Sequence, residues 1–385
     1  MATERSLPYR LRLPGPTAVP DRVREALARP VVSHRGPEFR EIVTEATALS
    51  RRVLGTSNEV LFFTSSGTGV MEASLVNVLG DKGKALVLSN GQFGERFLAI
   101  AEHLGLHADA IEVPWGETVG VEAVAARLEG GDYRAVVAVH NESSTGAVAD
   151  LADLGAVVRD TPAVLIVDSI SGLGGIEMRQ DDWGVDVVVS ASQKALMCPP
   201  GLGLASVSNK AWNVIEGHGG AASFYWDFRK AREAAAKGQT AFTTPVSLVV
   251  ALREALRMIH QEGLPEVLAR HRRLAGALRR GGAALGLPIF TKAPLISDTV
   301  TVFATPDVLD GAAVVRHLYE RYGTVIAGAR NRLKGKVLRI GTMGWCCEDD
   351  IRDDLLYLEK TLEDLGWPVE RGAGVAAADA TLRQA

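Results

Sequence analysis

The chain has 385 residues, of which 47% are hydrophobic and 23% charged, the composition of an ordinary globular protein. A formal net charge of −4 provides no basic field that would gather nucleic acid, so small molecules and copies of the chain itself are the expected partners. Three cysteines are too few for a disulfide framework and indicate a reducing cytoplasm. No apolar run approaches the roughly 18 residues of a membrane-spanning helix, and Met1 to Pro16 lacks the apolar core of a signal peptide.

Short runs rich in β-branched residues predict strands at Val60–Phe63, Ala85–Ser89, Ala110–Val113, Ala135–His140, Val164–Asp168, Val185–Ser190 and Gly203–Val207. Between them, apolar spacing predicts helices such as Thr68–Leu79 and Glu95–Leu104. Continuous apolar strands that alternate with helices favour an α/β fold with a mostly parallel sheet covered on both faces. Ligands of such sheets bind at the carboxyl ends of the strands, so the polar residues there are the candidates for a site.

From about Val246 the pattern becomes α+β, with predicted elements at Ser247–Glu262, Pro265–Leu285, Thr299–Phe303, Gly311–Tyr322, Val337–Ile340 and Glu348–Leu365. We predict an N-terminal segment (1–20), a large domain (21–260) and a small C-terminal domain (261–371). Residues 372–385 are rich in Ala and Gly without clear periodicity and are expected to form a flexible tail.

A lysine and an aspartate follow two of the predicted strands. Lys194 comes just after Val185–Ser190, where a low-dielectric pocket would let its amine lose a proton and act as nucleophile and base. Asp168 ends an apolar run, and a carboxylate there can pair with a protonated pyridine nitrogen. A surface lysine and a helix-capping aspartate are the ordinary alternatives for these two residues.

Three further motifs lie at strand ends. Thr64–Gly69 places small hydroxylated residues before a helix, which is typical of a phosphate cradle but also of a plain glycine-rich turn. His140–Gly146 offers several hydroxyl groups, and Phe93 in Asn90–Gly94 can stack on a flat ring. The absence of Walker and G-x-G-x-x-G sequences disfavours an NTPase or a dinucleotide enzyme.

In this order, the five motifs resemble the class V aminotransferases of the fold-type I pyridoxal-phosphate superfamily. The resemblance runs from Pro14 to Arg339 and is strongest to the alanine–glyoxylate/serine–pyruvate aminotransferase branch, which includes sequences labelled as the small subunit of soluble hydrogenase. Ser192–Leu196 followed by Pro-Pro-Gly is typical of that branch. The resemblance implies a fold-type I architecture, pyridoxal 5′-phosphate as cofactor, amino-acid and 2-oxo-acid substrates, and a homodimer.

The same resemblance implies roles for individual residues. Lys194 would hold the cofactor covalently and Asp168 would pair with its ring nitrogen. The other implied cofactor ligands are Ser66, Gly67, Thr68, Phe93, Ser143, Gln193 and Thr244. Thr145 is a rival to Ser143 for the ring hydroxyl, Thr244 would come from the opposite subunit, and relatives that carry Tyr at the position of Ala241 have one more phosphate contact.

Substrate recognition is implied for Arg339, Gly15 and Arg35. Arg339 matches the arginine that clamps the α-carboxylate, a role that suits its planar fork of N–H donors. The expected reaction moves the amino group of alanine or serine to glyoxylate or pyruvate by a ping-pong mechanism. Arg35 lies in a His-Arg segment similar to one that contacts phosphate in phosphoserine aminotransferases, which would favour aspartate or phosphoserine as donor. Pairing with Glu38 or with a subunit neighbour is the alternative for Arg35.

Two other classes of function remain as alternatives. A cysteine desulfurase needs a mobile catalytic cysteine, but Cys346 and Cys347 follow Arg339 and are predicted to be buried small hydrophobic residues. A non-catalytic partner subunit would not need Lys194, Asp168 and Arg339 together. His140 is interpreted as a strand-end histidine with satisfied hydrogen bonds, and Glu142 receives no catalytic role.

Overall fold

The computed structural model describes residues 10–219, 223–329 and 331–383. Its strands are β1 (Arg10–Leu11), β2 (Glu59–Phe63), β3 (Lys84–Ser89), β4 (His107–Glu112), β5 (Ala135–Val139), β6 (Asn141–Glu142), β7 (Ala147–Val148), β8 (Val164–Asp168), β9 (Val187–Ala191), β10 (Gly203–Val207), β11 (Val300–Ala304), β12 (Thr324–Val325) and β13 (Val337–Gly341). Its helices are α1 (Asp21–Leu27), α2 (Pro37–Leu54), α3 (Gly67–Leu79), α4 (Gln92–His103), α5 (Val121–Glu129), α6 (Leu151–Arg159), α7 (Gln180–Trp183), α8 (Asn209–Gly217), α9 (Phe228–Ala235), α10 (Val246–Glu262), α11 (Leu264–Ala284), α12 (Gly311–Tyr322), α13 (Glu348–Asp364) and α14 (Ala373–Leu382). Within the described ranges, none of the helices has the length and apolar character needed to cross a bilayer.

The largest sheet has the strand order β2-β10-β9-β8-β5-β3-β4. Its neighbouring strands pair in parallel, except that β10 runs antiparallel to both β2 and β9. Every residue of β5, β8, β9 and β10 is buried, since helices cover both faces of the sheet. The prediction of an α/β fold around a mostly parallel sheet is confirmed.

Each face of this sheet has its own hydrophobic core, as β8 illustrates. Leu165 and Val167 point into a core formed with α1, α2, α6 and α10. Val164 and Ile166 point into the opposite core, formed with α3, α4, α8 and α9. This alternation follows from the two-residue period of a strand. The polar residue Asp168 comes last, at the carboxyl end of β8.

A third core lies in the C-terminal part, between α11, α12, α13, α14 and the strand pair β11–β13. The N-terminal strand β1 pairs in parallel with β12 of this part. Arg12 is buried there and donates from Nε to Asp354 over 2.7 Å, while Arg10 donates to the same carboxylate over 3.0 Å. The chain continues from Arg12 to Pro14 and Gly15, which lie against the Lys194 side chain.

The expectation of a flexible tail over residues 372–385 is wrong for Ala373–Leu382, which form α14. Alanine has the highest helix propensity, and the small side chains let α14 approach α11 closely. A Cβ at Gly281 of α11 would lie 2.8 Å from the carbonyl oxygen of Gly374. The Ala- and Gly-rich composition hid this helix because it carries almost no contrast between apolar and polar faces.

Candidate active site

Lys194 lies three residues beyond the end of β9, and the N-terminal segment covers its side chain. The Nζ atom donates a hydrogen bond to the carbonyl of Pro14. Gly15 has φ +107°, and a Cβ at this position would lie 2.6 Å from Nζ. Thr17 donates from its hydroxyl to the Lys194 carbonyl over 3.0 Å. The structure therefore brings Gly15 and Lys194 together, and the close approach requires glycine.

The charge state of Lys194 is set by its surroundings. Burial lowers the pKa of the Lys194 amine to about 8, because the charged form loses hydration. The negative charge of Asp168 raises this pKa, and the positive charges of Arg339 and Arg96 lower it. An amine in this range exists partly in its neutral form, the form that acts as nucleophile and base.

Asp168 is the last residue of β8 and is only 3% exposed. Its Oδ1 accepts a hydrogen bond from the Ile170 amide over 2.8 Å. Burial raises the pKa of this carboxyl to about 7; the Ile170 amide opposes the shift, Glu142 adds to it, and Lys194 and Arg96 oppose it. A buried carboxylate in this position is ready for a cationic hydrogen-bond donor, such as a protonated ring nitrogen.

The segment between β2 and α3, predicted to be the phosphate cradle, lies at the N-terminus of a helix. Ser66 caps the start of α3 with extended backbone, and Gly67 begins the helix. A Cβ at Gly67 would lie 2.5 Å from Cδ1 of Ile170, so this turn packs directly against the chain that follows Asp168. The Thr68 hydroxyl accepts from Arg96 Nη1 over 3.2 Å. Free amides and the positive end of α3 thus converge beside a cation.

Two buried polar atoms support a phosphorylated ligand at this cradle. Gln193 Oε1 and Ser65 Oγ are buried and have no hydrogen-bond partner within the described residues. Buried polar atoms are nearly always paired in folded proteins, so unpaired ones call for a partner. Gln193 adjoins Lys194 and Ser65 adjoins Ser66. The residues therefore fit a cofactor that has both a carbonyl for Lys194 and a phosphate.

Phe93 lies in the first turn of α4 and is half-buried. The guanidinium of Arg96, one helical turn later, lies 4.5 Å from the centroid of the Phe93 ring. Arg96 also donates a hydrogen bond to Thr68, and its positive charge lowers the pKa values of both Lys194 and Asp168. We did not predict a role for Arg96 from the sequence, although its i+3 spacing from Phe93 on a helix was the available signal.

Ser143 and Thr145 are both buried in the turn between β6 and β7. The Thr145 hydroxyl lies 3.4 Å from the Glu142 carbonyl in the same turn. The Ser143 carbonyl accepts from Arg339 Nη1 over 3.1 Å, which places Ser143 beside the predicted carboxylate clamp. Both residues therefore lie in one buried turn, and Ser143 is the one whose carbonyl contacts Arg339.

Arg339 lies in the middle of β13, and main-chain carbonyls orient its side chain. Its Nε and Nη2 donate to the Gly328 carbonyl over 2.9 and 2.8 Å, and its Nη1 donates to Ser143. The first carbonyl belongs to the C-terminal part and the second to the turn beside the large sheet. The guanidinium is therefore held at the boundary of these two parts, within electrostatic range of Lys194.

Two of the predicted residues lie apart from this cluster within the single chain. Arg35 donates to the carbonyls of Thr240 (2.7 Å) and Ala241 (3.4 Å) and to the Gln239 side chain (3.1 Å), and it does not pair with Glu38. Thr244 lies shortly after this segment, just before α10. Within the described residues its buried hydroxyl makes no hydrogen bond.

The cysteines differ from each other. Cys346 is buried, accepts from Arg12 Nη2 over 2.7 Å, and burial raises the pKa of its thiol to about 11. The prediction that Cys347 is buried is wrong: its side chain is exposed because the residue caps the solvent-facing start of α13. A thiol with a raised pKa is a poor nucleophile, and that argues against Cys346 as a catalytic residue.

His140 follows β5 and is fully enclosed. Its Nδ1 lies 2.9 Å from the Ser169 hydroxyl, and its amide donates to the Asp168 carbonyl over 2.9 Å. Burial lowers the pKa of the imidazole to about 4, so the ring is neutral near pH 7. These contacts agree with the interpretation of His140 as a satisfied strand-end histidine.

The raised pKa of Asp168 leads to a prediction about stability. Because the folded-state pKa is about 7 against an ordinary value of 3.8, Asp168 stabilises the cofactor-free fold most below pH 3.8, and this contribution is lost as the pH rises through about 7. Asp168→Asn keeps a neutral acceptor for Ile170. We expect its Tm advantage over the wild type to grow across this interval and then stay constant, while turnover is lost.

Thermal melts of the cofactor-free proteins over a pH series measure this difference. Asp160→Asn, at an exposed aspartate after α6, is the matched control and should show no such growth. A difference between Asp168→Asn and the wild type that stays flat with pH would contradict the prediction.

The chain is similar to known proteins over nearly its whole length. The family described as "Aminotransferase class-V" matches residues 20–328. Three relatives are a "Soluble hydrogenase, small subunit" of Synechococcus sp. (38% identical; 97% of this chain and 98% of that one), an "L-aspartate--glyoxylate aminotransferase" of Paracoccus denitrificans (35%; 97% and 96%) and a "Serine--glyoxylate aminotransferase" of Methylorubrum extorquens (35%; 100% and 98%).

A solved structure gives the same result for the fold. The crystal structure of alanine–glyoxylate aminotransferase from Nostoc sp. superposes with a TM-score of 0.89, at 31% identity, and covers 94% of this chain and 97% of that one. The predicted fold-type I architecture and the resemblance to class V are confirmed. The chain belongs to the class-V aminotransferases, and it is a pyridoxal-phosphate-dependent aminotransferase.

Proposed function

We propose that the enzyme moves the amino group of a small L-amino acid, alanine or serine, to glyoxylate or pyruvate. The observation that carries this choice of donor is the position of Arg35, whose guanidinium donates to the carbonyls of Thr240 and Ala241 and, within the described chain, makes no hydrogen bond to the residues around Lys194. We assign the substrate carboxylate to Arg339, whose charge acts on Lys194, and a donor with one carboxylate is sufficient. Relatives named for serine–glyoxylate and alanine–glyoxylate transfer support glyoxylate as acceptor.

Each residue of the cluster has a task in this reaction. Pyridoxal phosphate, when bound, supplies the electron sink that makes the Cα–H bond of an amino acid acidic. The Lys194 amine would take the proton from the substrate Cα at Nζ and then release it to the bound cofactor. Its lowered pKa suits both transfers. Asp168 keeps the ring nitrogen protonated, Phe93 covers one ring face, and Arg339 orients the α-carboxylate with two parallel N–H donors.

The order of the two half-reactions follows from where the amino group resides. After the donor has reacted, its amino group would stay on the enzyme and the first 2-oxo acid would leave before the acceptor binds. Arg339 then binds the carboxylate of the acceptor in place of that of the donor. We therefore propose ping-pong kinetics.

The phosphate end would be held by Ser66, Gly67, Thr68 and Gln193, and the ring hydroxyl by Ser143. We propose that Thr244 completes the phosphate site from a second copy of the chain in a homodimer. An aromatic surface near Thr244 supports this: Phe224 is 73% exposed, and Tyr225 stacks on Phe242 with centroids 5.0 Å apart. Clustered exposed aromatic side chains are typical of protein interfaces.

An acidic donor is the second candidate. The Paracoccus relative named for aspartate–glyoxylate transfer supports aspartate, and phosphoserine would need the same kind of distal cation. In that case Arg35 would have to exchange its carbonyl partners for the distal anion of the donor.

Half-reaction spectra test the donor. The purified holoenzyme is mixed separately with alanine, serine, aspartate and phosphoserine, and the loss of the visible absorbance of the lysine-bound cofactor is followed. We expect alanine or serine to react fastest, with rates that Arg35→Gln leaves unchanged. Faster reaction with aspartate or phosphoserine that is lost in Arg35→Gln would favour the second candidate instead.

The same mixing experiment with cysteine tests the lyase alternative, because a desulfurase would release sulfide. We expect no sulfide. An absence of any spectral change with all the donors would reject the proposed reaction and favour a non-catalytic subunit.

A further inference from the structure

Glu142, the last residue of β6, is a fully buried acid, and its carboxylate joins two segments of the active site. Its Oε2 accepts from the amides of Phe93 (2.8 Å) and Gly94 (3.3 Å) at the start of α4. Its Oε1 accepts from the amide (3.1 Å) and the hydroxyl (2.5 Å) of Ser144. Four donors therefore surround one carboxylate.

These donors take the place of a basic partner. Within the described residues Glu142 forms no ion pair, and burial raises the pKa of its carboxyl while the four donors lower it. The amides at the start of α4 would otherwise lack partners inside the helix, and the positive end of the helix favours an anion. A Cβ at Gly91 would lie 2.5 Å from Cδ of Glu142, so the start of α4 is pressed directly onto the carboxylate.

The turn that follows Glu142 contacts Arg339 as well. The carbonyl of the next residue, Ser143, accepts from Arg339 Nη1 over 3.1 Å. The Ser144 hydroxyl that donates to Glu142 also accepts from the Gln92 amide over 3.0 Å. Hydrogen bonds thus tie the helix start that bears Phe93 to the Glu142 carboxylate, and the main chain from Glu142 to Ser143 leads on to the guanidinium of Arg339.

We infer that Glu142 is a positioning residue, which fixes the height of the Phe93 ring over the cofactor and, through Ser143, the place of the Arg339 clamp. The inference rests on the proposed roles of Phe93 and Arg339. Glu142 acts through these residues, because its carboxylate is saturated by main-chain and Ser144 donors. A purely structural acid would contribute to stability without changing how the cofactor is held.

Glu142→Gln tests the inference in the holoenzyme, since an amide keeps the shape of the side chain but its NH2 cannot accept from a backbone amide. We expect kcat to fall by about tenfold to a hundredfold with a smaller change in KM, since small misplacements of reacting groups have effects of this size. The visible circular dichroism of the bound cofactor should change as well, because it reports the orientation of the ring in its pocket.

Glu359→Gln is the matched control. Glu359 is also buried and accepts from a backbone amide, that of Gly372, over 2.9 Å, but it lies in α13 within the C-terminal core. It should lower the Tm without altering the dichroism or kcat. If both variants lower the Tm and neither changes the dichroism, Glu142 is structural and the inference is overturned.

A double-mutant cycle with Phe93→Ala identifies the route of the effect. If Glu142 acts through Phe93, Glu142→Gln should have little further effect on the dichroism and kcat once the ring is absent. Equal losses in both backgrounds would overturn the part of the inference that routes the effect through Phe93. Should Glu142→Gln fail to fold, Ser144→Ala, which removes one of the four donors, should change the dichroism in the same direction but less, and an unchanged signal would reject the role.

The outcomes separate this inference from the proposed function. A wild type that reacts with none of the donors defeats the proposed reaction, whereas the dichroism of the bound cofactor still reports whether Glu142 orients it. A reactive wild type with an unaltered Glu142→Gln variant defeats the inference alone.

Discussion

Replacing Lys194 with alanine should lower turnover by at least about 10³-fold, because one side chain serves both as the attachment point of the cofactor and as the proton carrier. The amine is the buried basic group that the structure places beside Asp168, under the backbone of Pro14 and Gly15. The visible absorbance that depends on the covalent link should vanish, although the phosphate cradle can still bind the cofactor. Steady-state rates and absorption spectra measure the two effects.

Lys237→Ala is the matched control for this prediction. Lys237 is an exposed lysine just after α9, so its removal should change neither the rate nor the spectrum. A Lys194→Ala protein that remains coloured and active would show that another amine holds the cofactor, and it would defeat the assignment of the site.

Replacing Arg339 with alanine should raise the KM for the donor amino acid by about 10- to 100-fold, the equivalent of losing charge-assisted hydrogen bonds to a carboxylate. Two carbonyls, from Gly328 and Ser143, fix the guanidinium in place before substrate binds, so the cost of ordering it is already met. Arg339→Lys should recover part of the affinity, because lysine keeps the charge but lacks the planar fork.

An amine without a carboxylate provides the control for Arg339. We expect such a compound to react slowly with the wild type, and Arg339→Ala should not slow it further. Because Arg339 also connects Gly328 with Ser143, the Tm of each variant should be measured alongside the kinetics. An unchanged KM for alanine, serine and aspartate in a folded Arg339→Ala protein would contradict the role of the clamp.

The strands of the large sheet were predictable because burial on both faces demands continuous apolar runs, and such runs are visible in one dimension. Their directions were less accessible: β10 is as apolar as its neighbours, yet it runs antiparallel to β2 and β9. Helix α14 was missed for the opposite reason, since a helix made of Ala and Gly has little periodicity to detect.

In the active site, residues at strand ends were predicted and residues that connect them were not. Lys194 and Asp168 follow buried strands, and the edge of a parallel sheet brings such ends together. Arg96 and Glu142 were not assigned, because their roles depend on contacts with Thr68, Phe93 and Ser144 that lie elsewhere in the sequence. The exposure of Cys347 likewise follows from its place at the start of α13.

The sequence by itself determined the class of chemistry, since a phosphate turn, an aspartate, a lysine and an arginine follow one another in an order that resembles the class V aminotransferases. The tertiary structure decided how these groups behave. Burial brings the pKa values of Lys194 and Asp168 to about 8 and about 7, and only the packed chain creates that burial. The tertiary structure also directs Arg35 toward the carbonyls of Thr240 and Ala241. It places the Glu142 carboxylate between Phe93 and Ser144, because hydrogen bonds between distant segments form only after folding.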